Sequence, residues 1–366
     1  MADTRSSRPR RSRAGLVLFL LVLALLAWEL AARLGGAVVV TPARFLAAAW
    51  RTASGEAPAA GGPPGAPTAD DLAHMAYRPL PYVMWGLKPS FERQPGDRNL
   101  VRTSNALGFR GPREIELPKP AGRYRIVCLG GSTTYDDAVN DDETNVVQLE
   151  ALLRAARPGM DLEVINAGVP SYTSAEDLPN LAFRCLDLQP DAVLIYQGIN
   201  DFRTRNYRNY DSAYFHYRKI WDGGTHLWAK GEGELGGINA FIQYKQPDPN
   251  GNEADNLRRA GTWAFRRNLT SMAGIVKAHG MRCILVTSIF DARNPFSLPG
   301  SPFAQGMAEN NEVVRQVAAE QGAVLVDLAA AYPEGNYFAD SVHNNAAGAK
   351  EKARIIADGL LKDLFK

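Results

Sequence analysis

Five short apolar runs constrain this chain more than any other feature of its sequence. Residues 124–129 are stopped by Gly130 and Gly131, residues 162–165 by Asn166, and residues 192–196 by a turn at Gly198; residues 283–286 and 323–326 complete the set. Each is rich in β-branched residues and nearly continuous in apolar character, the pattern of strands covered on both faces. Helical segments separate them. Val146, Leu149, Leu152 and Leu153 recur at helical spacing, and Thr173-Ser174-Ala175-Glu176 reads as a capping box. A further helix runs from about Met307 to Gln321 and ends at Gly322; the last follows Asn345 and carries Ile355, Ile356, Leu360 and Leu361. Strands alternating with helices predict an α/β fold, with a mostly parallel five-stranded sheet inside a three-layer α/β/α sandwich.

In such a sheet, ligands gather beyond the carboxyl ends of the strands. Four polar clusters fall there: Gly130-Gly131-Ser132-Thr133, Asn166-Ala167-Gly168, Gly198-Ile199-Asn200-Asp201 and Asp340-Ser341-Val342-His343. A serine hydroxyl is a poor nucleophile until an imidazole takes its proton, and that imidazole must be held in one tautomer by a carboxylate. Ser132, His343 and Asp340 supply those three groups, and an Asp three residues before a His can meet it within one turn of chain. Blander readings exist for each piece. Gly130-Gly131-Ser132 after a strand also suits a phosphate-cradling turn, although neither the dinucleotide fingerprint nor a Gly-Lys-Ser loop is present. Asp340 by itself also suits helix-start chemistry.

Taken in order, the four blocks resemble the SGNH/GDSL hydrolase superfamily from roughly Arg123 to Lys366, and in particular a membrane-anchored bacterial branch with a Gly-Gly-Ser-Thr nucleophile block. That block departs from the more familiar Gly-Asp-Ser-Leu. The resemblance implies a flavodoxin-like sheet, with Ser132 as nucleophile, His343 as general base and Asp340 orienting the imidazole. It also implies an oxyanion hole built from the Ser132 and Gly168 backbone N–H groups and the Asn200 side-chain amide, with no cofactor and no metal. The physics agrees with those roles. Acyl transfer builds negative charge on the former carbonyl oxygen, which preorganised donors must meet. A glycine lets backbone N–H approach closely, and an asparagine amide donates without carrying charge. Asp201 is expected to brace its loop.

The acidic stretch Asp136, Asp137, Asp141 and Asp142 reads as a loop capping the next helix, since no His or Cys at ligand spacing accompanies it. Forty-one Lys and Arg against thirty-nine Asp and Glu leave a net charge of +2, which gives no reason to invoke nucleic acid. Cys128, Cys185 and Cys283 read as buried free thiols.

The N-terminus suggests where the chemistry takes place. Residues 1–13 hold Arg5, Arg8, Arg10, Arg11 and Arg13 and read as a basic cytoplasmic segment; residues 14–36 read as a transmembrane signal-anchor, opening with a leucine-rich uncharged run to Trp28. A cleaved signal peptide is the rival reading. Residues 37–75 have Ala/Gly/Pro-rich linker composition, residues 76–120 read as an irregular or short-stranded extension packed on the domain, and residues 121–366 form the catalytic domain. The expected location is the inner membrane, with a single span and the domain facing the periplasm. Within the domain, residues 202–263 form an insert rich in aromatics, Tyr214 and Trp221 among them. These either pack a small core or form a lid and substrate wall, in which case Tyr214 and Trp221 bind substrate.

The expected function is an extracytoplasmic serine esterase acting on a small acyl ester, O-acetyl above all, on an envelope or exported polysaccharide. An O-acyltransferase with a sugar acceptor, a lipase or lysophospholipase acting on a lipid ester, and a non-catalytic envelope-binding protein are the alternatives.

Overall fold

A computed structural model describes residues 76–80, 82–92, 100–218 and 252–365. The segments read as anchor and linker, 14–36 and 37–75, lie outside the described residues, as does Trp221. No helix among the described residues is long and apolar enough to cross a membrane.

An antiparallel hairpin, β1 (Tyr77–Leu80) and β2 (Met84–Leu87), precedes the main sheet. All five apolar runs then form strands: β3 (Tyr124–Gly130), β4 (Leu162–Asn166), β5 (Ala192–Tyr196), β6 (Arg282–Val286) and β7 (Val324–Val326). Every neighbouring pair is parallel, in the order β4-β3-β5-β6-β7. The chain thus steps from β3 out to β4, then back across β3 to β5. That reversal opens a crevice at the carboxyl end of β3, where a ligand site is expected in this topology. Ser132 follows β3 there.

The α-helices among the described residues are α1 (Ser132–Tyr135), α2 (Asn145–Ala156), α3 (Ser174–Asn180), α4 (Ile199–Thr204), α5 (Glu253–Ala260), α6 (Trp263–Ala278), α7 (Pro302–Gln321), α8 (Leu328–Ala331) and α9 (Ala346–Asp363). Alternation along the strands divides the core into two layers. Ile126 and Cys128 of β3 face one side, buried with Leu149 and Leu153 of α2 and Ile356 and Leu360 of α9. Val127 and Leu129 face the other, with Leu269 and Met272 of α6 and Val314 and Val317 of α7. Each fully buried Leu, Ile or Val contributes about 1.5–3 kcal/mol of transfer free energy.

Local chemistry sets the helix ends. Thr173 caps α3 in a complete capping box with Glu176. α7 begins at Pro302 rather than Met307, because the Ser301 hydroxyl accepts from Ala304 N–H and Pro302 suits the first turn. Asn345 caps α9 by accepting from Gly348 N–H at 2.9 Å. The three cysteines are free, and burial pushes each thiol up to about 12, far from a reactive thiolate.

Candidate active site

Gly130 ends β3 at φ +154°, where a Cβ would lie 2.2 Å from both Tyr196 O and Thr134 Oγ1. Only a glycine makes this sharp turn, and the turn presents Ser132 as the first residue of α1. Its Oγ lies 2.8 Å from His343 Nε2. His343 Nδ1 lies 2.7 Å from Asp340 Oδ2, so the ring donates to the carboxylate at one nitrogen and accepts from the serine at the other. Asp340 Oδ1 accepts from the Val342 and His343 N–H groups, both at 2.8 Å. Partial burial would raise the Asp340 carboxyl, but His343 and these backbone donors outweigh it and hold the group well below the usual carboxylate range. The Asp340 side chain is 47% exposed against 19% for His343. Solvent reaches the carboxylate, while its Oδ2 fixes the orientation of the imidazole.

The three residues named for the oxyanion hole behave differently. Ser132 N–H, at the first residue of a helix, has no intrahelical acceptor. Asn200 is buried and donates one amide hydrogen to Tyr172 O at 2.8 Å. A Cβ on Gly131 would come within 2.8 Å of its Nδ2, so glycine lets this amide close on the residue preceding Ser132. Gly168 N–H, by contrast, donates to Asn166 Oδ1 at 3.0 Å. Steric need accounts for the glycine itself: a Cβ would sit 2.4 Å from Tyr135 N and 2.8 Å from Thr134 C, inside the helix that carries Ser132.

The structure corrects the reading of Tyr214 as a substrate-binding residue. Its side chain is 2% exposed, packed with Tyr207, Tyr217 and Ala264, and its hydroxyl donates to Asp201 Oδ1 at 2.8 Å. A phenol that must satisfy a buried carboxylate is not available at a rim. Asp201 also accepts from the N–H and hydroxyl of Ser174, tying α4 to the start of α3.

Burial raises the Asp201 carboxyl to about 6, although the hydrogen bonds from Ser174 and Tyr214 favour its anion. An unfolded Asp titrates near about 3.9, so between these values the folded chain holds a proton that the unfolded chain has released. The stability contributed by this group therefore falls as pH rises through that window. Unfolding of wild type and Asp201→Asn across about pH 4 to 7 should show this slope in their difference. A difference that stays flat would contradict it.

Three of the four acids in the acidic stretch are paired internally. Asp136 pairs with Lys352, Asp137 with Arg102 and Asp141 with Arg110. No group of three or more His, Cys, Asp or Glu among the described residues is placed to hold a metal. Arg110, from the extension before β3, also lies 4.1 Å over the Tyr135 ring and donates to Val139 O. The extension thus braces the end of α1, a role invisible in its sequence.

Residues 128–351, more than half of the chain, match the GDSL-like lipase/acylhydrolase family. The chain belongs to that family. This GDSL-family protein is accordingly an enzyme that hydrolyses ester bonds. Solved structures similar to the GDSL-family chain include Axe2, an acetylxylan esterase from Geobacillus stearothermophilus, at 19% identity over 65% of this chain and 94% of that one, TM-score 0.45. LAE5, an α/β hydrolase enzyme from the metagenome of Lake Arreo, Spain, is 20% identical over 65% and 94%, TM-score 0.44. TesA is 20% identical over 64% and 97%, TM-score 0.42. No curated protein matches the chain.

Proposed function

We propose that this protein is a serine esterase working through an acyl-enzyme on Ser132. The unbroken chain of contacts from Ser132 Oγ through His343 to Asp340, 2.8 and 2.7 Å, carries this reading. Oγ attacks the ester carbonyl carbon while its proton passes to His343 Nε2. The carbonyl oxygen, now negative, receives the Ser132 N–H and the second Asn200 amide hydrogen, which has no acceptor among the described residues. When the tetrahedral adduct collapses, the ester C–O bond breaks and His343 returns the proton to the departing alcohol. Water then attacks the acyl-enzyme by the same route, giving the acid and free serine.

The substrate we favour is a small acyl ester, O-acetyl above all, on an envelope or exported polysaccharide. Five arginines before a leucine-rich run support an inner-membrane anchor over residues 14–36, with the domain on the periplasmic side. With Tyr214 in the core, Trp221 is the remaining aromatic candidate for contact with a sugar. The test is acetate release by the detergent-solubilised full chain from an acetylated polysaccharide and from a short-chain aryl ester. Turnover of the aryl ester but no attack on the polymer would remove the glycan substrate. Acetyl transfer to an added glycan would instead identify an O-acyltransferase.

A further inference from the structure

We infer that Lys352 is a positioning residue for the reaction, holding the nucleophile's helix in register with the segment that carries His343. The inference rests on the Ser132–His343 reading above.

α1 is a single turn, Ser132–Tyr135, and one turn of helix does not hold itself in place. Its carbonyls are held from outside. Thr133 O accepts from Lys352 Nζ at 2.7 Å, and Thr134 O accepts from Asn166 Nδ2 at 3.0 Å. Asp136 closes the turn in a left-handed conformation, φ +60° and ψ +65°, with its N–H on Ser132 O. The same ammonium of Lys352 reaches Asp136 Oδ1 at 2.9 Å, while Asp136 Oδ2 receives Asn145 N–H at the start of α2. The ion pair is sealed, with side-chain exposures of 0% and 1%. Lys352 also lies 5.2 Å over the ring of Tyr196, at the end of β5.

What matters is where Lys352 comes from. It stands in the second turn of α9, whose N-cap Asn345 lies two residues beyond His343. One side chain therefore joins the residue after the nucleophile to the helix that begins beside the base. The 2.8 Å separation of Ser132 Oγ and His343 Nε2 spans 211 residues of sequence. This contact is a direct structural tie between its two sides.

The experiment uses the full chain with Lys352→Met and with Lys352→Met/Asp136→Asn, the second leaving neither charge buried alone. Each is made with His343 intact and in a His343→Ala background. With His343 intact, kcat for an aryl ester should fall about 100-fold, the scale of a misplacement of about 1 Å, with little change in KM. In the His343→Ala background, the same changes should cost at least about tenfold less, because there is no base left to align and only the Ser132 N–H still depends on α1. If Lys352→Met alone does not fold, the Lys352→Met/Asp136→Asn variant, which leaves no buried charge unpaired, carries the reading. Wild-type kcat in a folded variant would overturn the inference, as would equal losses in both backgrounds. Activity persisting in Ser132→Ala would instead remove the serine reading beneath it.

Discussion

Ser132→Ala and His343→Ala should each lower ester turnover by about ten-thousand- to million-fold, and the double variant should be little worse than either single one. The expectation follows from geometry. The hydroxyl and the imidazole lie 2.8 Å apart, and in the proposed mechanism they act as one unit, so removing either disables both. Residual catalysis should survive, because substrate binding and the Asn200 amide remain. Neither side chain supports the core: Ser132 and His343 are both only half-buried, and unfolding temperatures should stay near that of wild type. Losses that multiply in the double variant would mean that the two groups act separately.

Asn200→Ala should lower kcat by about a hundred- to a thousand-fold, or 3–4 kcal/mol of barrier, with a much smaller effect on KM. Charge appears on the substrate oxygen only as the transition state is approached, so the lost donor is missed there and not in the ground state. Asn200 also donates to Tyr172 O, and part of any change in unfolding temperature reports that lost bond. Gly168 offers a contrast. Its N–H already serves Asn166 Oδ1, and a Cβ there meets backbone atoms of Tyr135 and Thr134. Gly168→Ala should therefore act by displacing α1 and lower the unfolding temperature as well as kcat. Asn200→Ala with kcat intact and only KM raised would show that the amide binds substrate and is not an oxyanion donor.

The residues of the proposed site are legible in the sequence because its chemistry restricts residue type. Few residues can act as nucleophile, base and orienting carboxylate, and Ser132, His343 and Asp340 stand where strands or a helix must turn. The strands were legible for a different reason. Residues 124–129 or 192–196 could not be so continuously apolar unless both faces were covered.

The failures have physical causes too. Aromaticity points to Tyr214 as a substrate contact, but composition does not say which way a ring points, and this one satisfies Asp201. Phe265, Leu269, Met272 and Val276 form the buried stripe of α6, an amphipathic helix that the sequence reading does not assign. Lys352 and Arg110 carry no local signal. A lysine in a helix and an arginine in a loop are ordinary surface residues until Asp136 and Asp141 arrive from distant sequence. Sequence pattern reports periodicity and chemical type; a buried ion pair across 216 residues has neither.

The most direct test is covalent capture of the nucleophile. A fluorophosphonate reacts with a serine only when a base activates it, and the adduct mimics the tetrahedral intermediate at the same oxygen. Intact mass and peptide mapping should show one adduct per chain, on the peptide containing Ser132, absent from Ser132→Ala and much slower to form in His343→Ala. An adduct of the same stoichiometry on another residue, or one that persists in Ser132→Ala, would contradict the account.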